Sequence, residues 1–207
     1  LPNWINVQRF KRDEPGRDFR GELALPKSAK VILFVHRLSR RKGAHHIIPV
    51  ARRVLKYFTD VVFVVVGSGP EEDNLKSSVK NYKLDRHVRI VGEIPQRDVP
   101  KYFHAADVFF MPSEEEGFPH VLLEAMASGV PYAASDVGGV REITPPELRQ
   151  YLVTSGDVAM FAKKIMDLLN ETEKNRKEIG KGEQEWAGQY DVGLAVKKFA
   201  ALFNRPA

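Results

Sequence analysis

The sequence contains no cysteine among its 207 residues, so disulfide bonds, thiolate metal ligands and a thiol nucleophile are all excluded. It also lacks an Asp-x-Asp pair, the pattern that would hold a diphosphate through a divalent metal ion. Its six histidines show no metal-ligand spacing with carboxylates, and the adjacent His45 and His46 are expected to face different ways. No serine or aspartate has the surroundings of an activated nucleophile. We therefore expect a site with no metal ion and no cofactor.

No apolar run approaches the length that a membrane-spanning helix needs, and the composition is that of a soluble globular protein. A length of 207 residues suffices for one large domain with a buried core, and 43% hydrophobic with 29% charged residues is ordinary for such a protein. The net charge of +5 is modest and dispersed, so it suits an anionic small molecule or an anionic membrane surface. No aromatic-rich basic motif of an RNA-binding module occurs, so no nucleic-acid partner is expected. The sequence predicts a cytoplasmic protein, with a peripheral position at the inner membrane surface left open.

Three parts follow one another along the chain. Residues 1–29 are polar and rich in proline, glycine and charge, which predicts a leading segment or interdomain linker with little regular structure. Residues 30–171 alternate apolar runs with helical patterns, and residues 172–207 are charged and helical. The predicted strands are 31–35, 61–66, 88–91, 107–111, 131–134 and 151–153. The predicted helices of the middle part are 43–58, 71–82, 99–106, 119–128 and 157–169.

Strand–helix alternation at this spacing predicts an α/β fold: a Rossmann-like three-layer α/β/α domain with a mostly parallel sheet of about six strands. Right-handed crossovers bring the loops that follow the strands to one edge of the sheet, where ligands bind in such folds. These loops are 36–43, 67–70, 92–96, 112–118 and 135–139. Every motif considered below lies in one of them.

Cations and glycines follow the first two predicted strands. Arg37 and Lys42 would suit a diphosphate, because arginine makes forked contacts and lysine supplies a point charge. The alternative is a solvated basic loop, since four cations crowd into residues 37–42. Gly67 and Gly69 form half of a dinucleotide-binding fingerprint, but Glu72 replaces the third glycine, so NAD binding is rejected. This segment is either a tight strand-to-helix turn or a turn whose backbone approaches a ligand.

Two further turns lie at the same predicted edge. The segment from Gly92 to Pro95 follows the third strand, and its fixed backbone could present peptide groups to a nucleobase. A purely structural turn is the alternative there. The segment from Asp136 to Gly139 is another glycine turn, which we interpret as mainly structural.

Glu116 and Glu124 stand eight positions apart across a strand-to-helix junction. Gly117, followed by Pro119 at the first helical position, predicts a loop that turns into a helix between them. One acid then lies at the helix mouth and the other about two turns along it, near one face. Free amides of the first turn could hold a phosphate while the carboxylates accept hydrogen bonds from sugar hydroxyls, so the pattern predicts a sugar-nucleotide site. The alternative is a solvated acidic cluster, because two more glutamates directly precede Glu116.

The order of these motifs resembles that in the C-terminal half of GT-B glycosyltransferases. The match rests on Arg37-Leu38, Lys42-Gly43, Gly67-Ser68-Gly69-Pro70, Gly92-Glu93-Ile94-Pro95, Ala106-Asp107-Val108 and the Glu116–Glu124 block. The nearest group is the retaining glycosyltransferase family 4 with its E-x7-E motif, and the match covers about residues 1 to 200. Pro2 to Asn6 looks like the family's interdomain linker. Gln189 to Asp191, with the final helix, looks like its returning C-terminal segment.

The resemblance implies a hexosyltransferase whose donor is a nucleotide sugar, such as a UDP-, GDP- or ADP-sugar, bound without a metal ion. Arg37 and Lys42 would grip the donor diphosphate and stabilise the leaving group. Glu116 would touch hydroxyls of the transferred sugar, and Glu124 would accept hydrogen bonds from the ribose. The other donor-site residues implied are Val121 and Leu122, whose amides would hold the terminal phosphate, Ile94, whose peptide would meet the base, and Gly67, Gly117, Phe118 and His120.

The resemblance also implies a partner domain. Family members hold the acceptor, such as a sugar or a lipid-linked sugar, on an N-terminal Rossmann-like domain, so this chain by itself is expected not to transfer sugar. Two residues depart from the family pattern: His36 replaces a usual glycine and could crowd the phosphate, and Pro119 removes one amide donor. The alternative functions are a non-catalytic nucleotide-sugar-binding module and another GT-B enzyme such as a nucleotide-sugar epimerase.

Overall fold

One sheet of six parallel strands organises the computed structural model, which describes residues 4–11 and 17–203. The strand order is β3-β2-β1-β4-β5-β6. The strands are β1 (Lys30–Val35), β2 (Val61–Val66), β3 (Val88–Gly92), β4 (Val108–Met111), β5 (Tyr132–Ser135) and β6 (Leu152–Val153). The helices are α1 (Phe19–Glu22), α2 (Ile47–Val54), α3 (Glu72–Asn81), α4 (Val99–Ala105), α5 (His120–Ala127), α6 (Val140–Ile143), α7 (Val158–Asn170), α8 (Glu173–Ala187) and α9 (Val192–Phe203). The predicted three-layer α/β/α architecture is confirmed, and the sheet is parallel throughout.

The central strands are covered by helices on both faces, which explains their continuous apolar runs. All six residues of β2 are buried, and all but one are valine, whose branched side chain packs well on a pleated surface. In the register, Ile32 of β1 lies opposite Phe63 on one side and Val108 on the other. The strand order reverses between β1 and β4, and parallel sheets bind ligands beyond the carboxyl ends of strands at such a point.

The long helices of the C-terminal half use amphipathic faces and local caps. Asp157 caps α7 by accepting a hydrogen bond from the amide of Met160 at 2.9 Å, as an N-terminal acid should. Helix α7 packs against α2, and α8 packs against α5. The indole of Trp186 in α8 donates to the carbonyl oxygen of Ile143 at 2.8 Å. No helix in residues 4–11 and 17–203 is long and apolar enough to cross a membrane.

The leading segment has more regular structure than the sequence predicts. Its residues form a short 3-10 helix at Val7–Phe10 and then α1, because Val7 and Phe10 are buried in the core. The amide of Ile5 donates to the carbonyl oxygen of Tyr190 at 3.0 Å, which ties this segment to the C-terminal helices. Pro2 and Asn3 of the predicted linker lie outside the described residues.

Helix α2 begins four residues later than the sequence predicts. The predicted helix starts at Gly43, but this glycine has a left-handed φ of 72° and separates two 3-10 turns, Arg40–Lys42 and Ala44–His46. Only from Ile47 does the chain continue as an α-helix. The β1–α2 connection is therefore a folded loop that extends along the carboxyl edge of the sheet.

Candidate functional site

Close backbone contacts lock three loops together at the carboxyl edge. A Cβ atom on Gly43 would stand 1.9 Å from the carbonyl oxygen of Pro112, so only glycine lets the β1–α2 loop meet the β4–α5 loop. The amide of Glu114 donates to the carbonyl oxygen of Arg41 at 2.9 Å across the same contact. On the other side, Gly138 has a φ of 50°, and its Cβ would lie 1.7 Å from the carbonyl oxygen of Glu116. The β4–α5 loop is thus held from both sides.

Glu116 is buried and held by three donors. Its carboxylate accepts from Lys42 Nζ at 2.8 Å and from Ser113 Oγ at 2.7 Å, and His36 Nε2 lies 3.4 Å away. Burial alone would raise the pKa of Glu116, but hydrogen bonds from His36, Lys42 and Ser113 outweigh it and lower the pKa to about 2. The side chain is therefore a carboxylate at neutral pH. It forms a buried ion pair with Lys42, which also donates to the carbonyl oxygen of Glu115 at 3.3 Å.

His36 connects Arg37 to this ion pair through its ring. The backbone amide of Arg37 donates to His36 Nδ1 at 2.8 Å, which assigns the proton of a neutral ring to Nε2, facing Glu116. The ring is thus turned towards the carboxylate, and this contact gives His36 a structural role at the position where the resembled family usually has glycine.

Arg37 differs from Lys42, because its side chain has no partner among the residues that the structure describes. It is exposed, and it makes no side-chain hydrogen bond or ion pair with residues of the described ranges. It lines a cavity of about 430 Å³, here called the carboxyl-edge cavity, at the ends of the first three strands. Residues that line this cavity include His36, Arg37, Gly67, Glu93, Ile94 and Gln96. Three predicted site residues, Arg37, Gly67 and Ile94, therefore meet in one place.

Gly67 serves the packing of two loops. Its Cβ atom would lie 2.0 Å from the carbonyl oxygen of His36, and its amide already donates to the carbonyl oxygen of Gly92 at 2.8 Å. The tight-turn interpretation accounts for this glycine fully. Gly67 therefore lines the cavity without offering its amide to a ligand, because that amide is already hydrogen-bonded.

Glu124 lies in α5, half-buried, with weak partners. Gln96 Nε2 lies 3.4 Å from Glu124 Oε1. The guanidinium of Arg9 donates to the backbone carbonyl oxygen of Gln96. Burial raises the pKa of Glu124 to about 7, against the opposing influence of Arg9 and Gln96. Since Gln96 also lines the carboxyl-edge cavity, Glu124 stands next to that cavity with most of its hydrogen-bonding capacity unused.

The junction before α5 is open at its tip. Gly117 is exposed, and a Cβ there would meet no atom within 4 Å among the described residues, so the fold itself does not require glycine. Pro119 is not the first helical residue, as predicted, but the cap before it, because α5 begins at His120. The amide of Leu122 donates to the carbonyl oxygen of Pro119 at 3.2 Å.

The side chains around this junction divide by exposure. The side chain of His120 is exposed and that of Val121 is half-buried, whereas the Leu122 side chain is buried. Because the Leu122 amide already donates to Pro119, it is not free for the phosphate that the sequence assigns to it. The ring of Phe118 packs against that of Tyr190 at a centroid distance of 5.8 Å. Phe118 therefore ties the junction to the C-terminal segment.

The expected orientation of His45 and His46 is wrong. His45 and His46 do not face different ways: their ring centroids are 3.8 Å apart, and both rings approach Glu114. They lie in the 3-10 turn before α2, where the sequence predicts a regular helix. Burial lowers the pKa of His46, so this ring is neutral near neutral pH.

Other site residues carry no motif in the sequence. Ser113 and His36 hold Glu116, and Gln96 and Arg9 flank Glu124. His36, Gln96 and Arg9 come from segments distant along the chain, whereas Ser113 lies three positions before Glu116 in the same loop. A polar residue directly after a predicted strand, as His36 and Ser113 nearly are, is the signal that could have identified two of them.

Comparison with known proteins gives a consistent result. A family model described as "Glycosyl transferases group 1" matches residues 16–186. A 2-deoxystreptamine N-acetyl-D-glucosaminyltransferase of Streptomyces fradiae is 29% identical over 92% of this chain and 46% of its own length. The chain thus spans about half the length of this curated relative.

Solved structures extend the likeness. Alr3699/HepE of Anabaena, in complex with UDP, matches with a TM-score of 0.83 and 25% identity, over 97% of this chain and 55% of that one. The C-terminal domain of a glycosyl transferase group 1 family protein (LpcC) from Francisella tularensis matches with a TM-score of 0.77 and 25% identity. That match covers 91% of this chain and 99% of the solved domain.

Proposed function

The chain belongs to the group 1 glycosyl transferases, and we propose that it is the donor-binding half of such an enzyme. It binds a nucleoside diphosphate sugar and transfers the glycosyl group to an acceptor that another domain of a longer protein holds. The observation that carries the proposal is Arg37, an exposed cation at the carboxyl-edge cavity with no side-chain partner among the described residues. A guanidinium that no carboxylate neutralises is available to a diphosphate.

Similar proteins support this class of ligand. Alr3699/HepE has been solved with UDP and with UDP-glucose, and the Streptomyces fradiae relative is named as a transferase of N-acetyl-D-glucosamine. Since the chain spans about half of these proteins, the acceptor-binding N-terminal domain, the sugar and the acceptor remain parts of the proposal. The assignment to family 4 and transfer with retention of configuration likewise belong to it.

The roles follow from the observed environments. Arg37 contacts the diphosphate, and the peptide groups near Ile94 and Glu93 contact the base at the far wall of the cavity. Glu124 forms a hydrogen bond with a ribose hydroxyl, because its carboxyl group has few competing partners. It accepts from the hydroxyl when ionised and can donate to it when protonated. The open tip at Gly117 admits the phosphate and the sugar beside the first turn of α5.

Lys42 and Glu116 act as a unit in this proposal. Three donors engage the Glu116 carboxylate, which leaves about one of its roughly four acceptor sites for a hydroxyl of the transferred sugar. Lys42 has one remaining proton to direct at the departing diphosphate. As the bond between the anomeric carbon and the diphosphate oxygen breaks, Arg37 and Lys42 stabilise the negative charge that develops on the leaving group.

We further propose that the diphosphate is bound without a divalent metal ion. Two cations and the amides of the α5 turn supply the positive potential that a metal would otherwise provide. Of the nearby carboxylates, Glu116 is engaged by Lys42, and Glu93 in the cavity wall accepts a hydrogen bond from Ser68 Oγ at 3.2 Å.

The test is calorimetric titration of the chain with UDP, GDP and ADP, with and without EDTA, using two matched arginine variants. Arg37→Gln should weaken binding of the preferred nucleotide at least ~tenfold, as expected for one lost charged hydrogen bond. Arg41→Gln removes another exposed arginine, which is paired with Glu115 at 2.9 Å, and should change affinity less than ~twofold. Equal effects of the two variants would refute the assignment, and binding that vanishes with EDTA would refute the metal-free claim.

A second measurement separates an enzyme from a binding module. The full-length protein should release or transfer sugar from the donor that the chain binds, whereas residues 1–207 alone should bind it without turnover, because positioning of the acceptor is absent. Nucleotide-sugar binding with no turnover by the full-length protein would favour the non-catalytic alternative.

A further inference from the structure

Two adjacent histidines and one carboxylate converge beside the donor site. His45 Nε2 lies 3.1 Å and His46 Nε2 lies 3.7 Å from Glu114 Oε1. One ligand atom from each of the three residues lies within 4.8 Å of the other two. We propose that His45, His46 and Glu114 form a binding site for one divalent transition-metal ion of the zinc class. This site is separate from the diphosphate site, and the proposal does not depend on the proposed function.

The separations fit a shared ion better than hydrogen bonding alone. Zinc bonds of about 2.0–2.1 Å in a tetrahedral arrangement place neighbouring ligand atoms roughly 3.3 Å apart. The two histidine–glutamate separations, 3.1 and 3.7 Å, lie on either side of that distance, and the two histidine ligand atoms lie within 4.8 Å of each other, so side-chain rotations would bring the three atoms around one ion. A hydrogen bond explains the His45 contact, but 3.7 Å is too long to be one for His46.

The state of His46 supplies an independent reason. This residue is 8% exposed, and its Nε2 has no hydrogen-bond partner among the described residues. A buried polar atom left without a partner costs free energy, and such atoms in native proteins call for an explanation. A metal ion between His46 and Glu114 would satisfy this nitrogen.

The donor set selects the kind of ion. Two imidazoles and one carboxylate suit zinc and its neighbours in the transition series, whereas magnesium and calcium prefer oxygen ligands. Three protein ligands would leave a fourth position for water. The Glu114 side chain is 45% exposed, so an ion can reach the site from solvent, and the adjacent Arg41 is already paired with Glu115.

The placement gives such an ion a structural consequence. His45 and His46 precede α2, and Glu114 lies in the β4–α5 loop two positions before Glu116. A bound ion would connect the two loops that also carry Lys42 and Glu116. We therefore expect it to stiffen the donor site without contacting the donor.

Zinc titration of the metal-stripped chain, without nucleotide, tests the proposal. Calorimetry should give one equivalent of Zn²⁺, and the melting temperature should rise with Zn²⁺ but not with Mg²⁺. Bound Co²⁺ should show the intense visible absorption of a tetrahedral site. Glu114→Gln should weaken Zn²⁺ binding at least ~100-fold, since changes outside the ligand shell already cost about 10–100-fold.

Matched variants keep the result interpretable. Glu115→Gln alters the neighbouring exposed glutamate and should leave Zn²⁺ affinity within ~twofold, while His46→Ala should abolish binding. If His46→Ala fails to fold, Glu114→Gln still decides, because its side chain is half exposed. No Zn²⁺ binding at micromolar concentration, or equal binding by wild type and Glu114→Gln, would overturn the site.

Discussion

Glu116 and Glu124 belong to one short segment, yet their environments give them opposite chemistry. Burial favours a higher pKa for both carboxyl groups, but the resulting pKa values move in opposite directions. Around Glu116 three donors outweigh that effect and bring the pKa to about 2, whereas Glu124 has little beyond Gln96 and its pKa is about 7. The comparison shows that the number of donors, and not the depth of burial, decides which acid is ionised.

The difference also distinguishes a carboxylate whose charge is paired within the fold, Glu116, from a carboxyl group whose acceptor sites are mostly available to a ligand, Glu124. Glu116 has found its counter-ion in Lys42, so its carboxylate is already part of the native structure. Glu124 is half-buried at a cost that internal contacts do not offset. A ligand hydroxyl that bonds Glu124 would offset part of that cost, which is the pattern expected where a substrate completes a site.

The largest loss of stability should come from removing the Lys42 partner of Glu116. Lys42→Met leaves the Glu116 carboxylate buried without its counter-ion, and removal of one partner from such a pair costs about 3–5 kcal/mol. Urea unfolding at pH 7 measures this change. Arg41→Met is the matched control, because its pair with Glu115 is exposed and should contribute less than about 1 kcal/mol. Similar losses in both variants would show that the Lys42–Glu116 pair contributes no more than a surface contact.

A smaller effect should appear when pH is varied. The folded-state pKa of Glu124, about 7, lies above its ordinary value of 4.5, so its stabilising contribution is complete below pH 4.5 and is lost as pH rises through 7. The folded-state pKa of Glu116, about 2, is depressed. Its contribution is therefore present above pH 4.5 and is lost as pH falls through 2.

Isosteric glutamine variants of the two acids should change the free energy of unfolding in opposite directions. At pH 8, Glu124→Gln should raise the free energy of unfolding by about 2 kcal/mol after allowance for partial exposure, and at pH 5 it should change little. Glu116→Gln should lower the free energy of unfolding at both pH values, because Lys42 loses its partner. Urea unfolding at the two pH values checks this, and a stabilisation by Glu124→Gln that is equal at pH 5 and pH 8 would contradict the raised pKa.

Much of the fold could be predicted because buried strands appear in the sequence as continuous apolar runs. The run Val61–Val66 is predicted to the residue, since a parallel strand covered on both faces must be apolar throughout. The sequence predicts the start of helix α2 too early, because Gly43 takes a left-handed conformation that a tertiary contact with Pro112 demands. Periodicity along the chain carries no information about such a contact.

The site could be predicted only to the level of its loops. Strand ends indicated that Arg37 and Ile94 would share an edge, and both line the carboxyl-edge cavity. The pairing of Lys42 with Glu116 was out of reach, because 74 positions separate them and the approach depends on loop packing. The sequence does not predict the convergence of His45 and His46 for a similar reason: side-chain direction in an irregular turn does not follow helix or strand spacing.

The mildest prediction tests whether the two glutamates divide the donor between them. Glu124→Gln should weaken UDP and UDP-sugar alike by about tenfold, the lower end for a hydrogen bond to a charged group, because this acid is partly protonated at pH 7. Glu116→Gln should leave bare UDP within ~twofold and weaken only the sugar-bearing ligand, since its free acceptor site faces the transferred sugar in the proposed pose. Calorimetry of both ligands on both variants, at a temperature where circular dichroism shows each to be folded, makes the comparison. Glu115→Gln serves as the surface-acid control. If Glu116→Gln matches that control for every ligand, then Glu116 only positions Lys42 and the sugar contact must be assigned elsewhere.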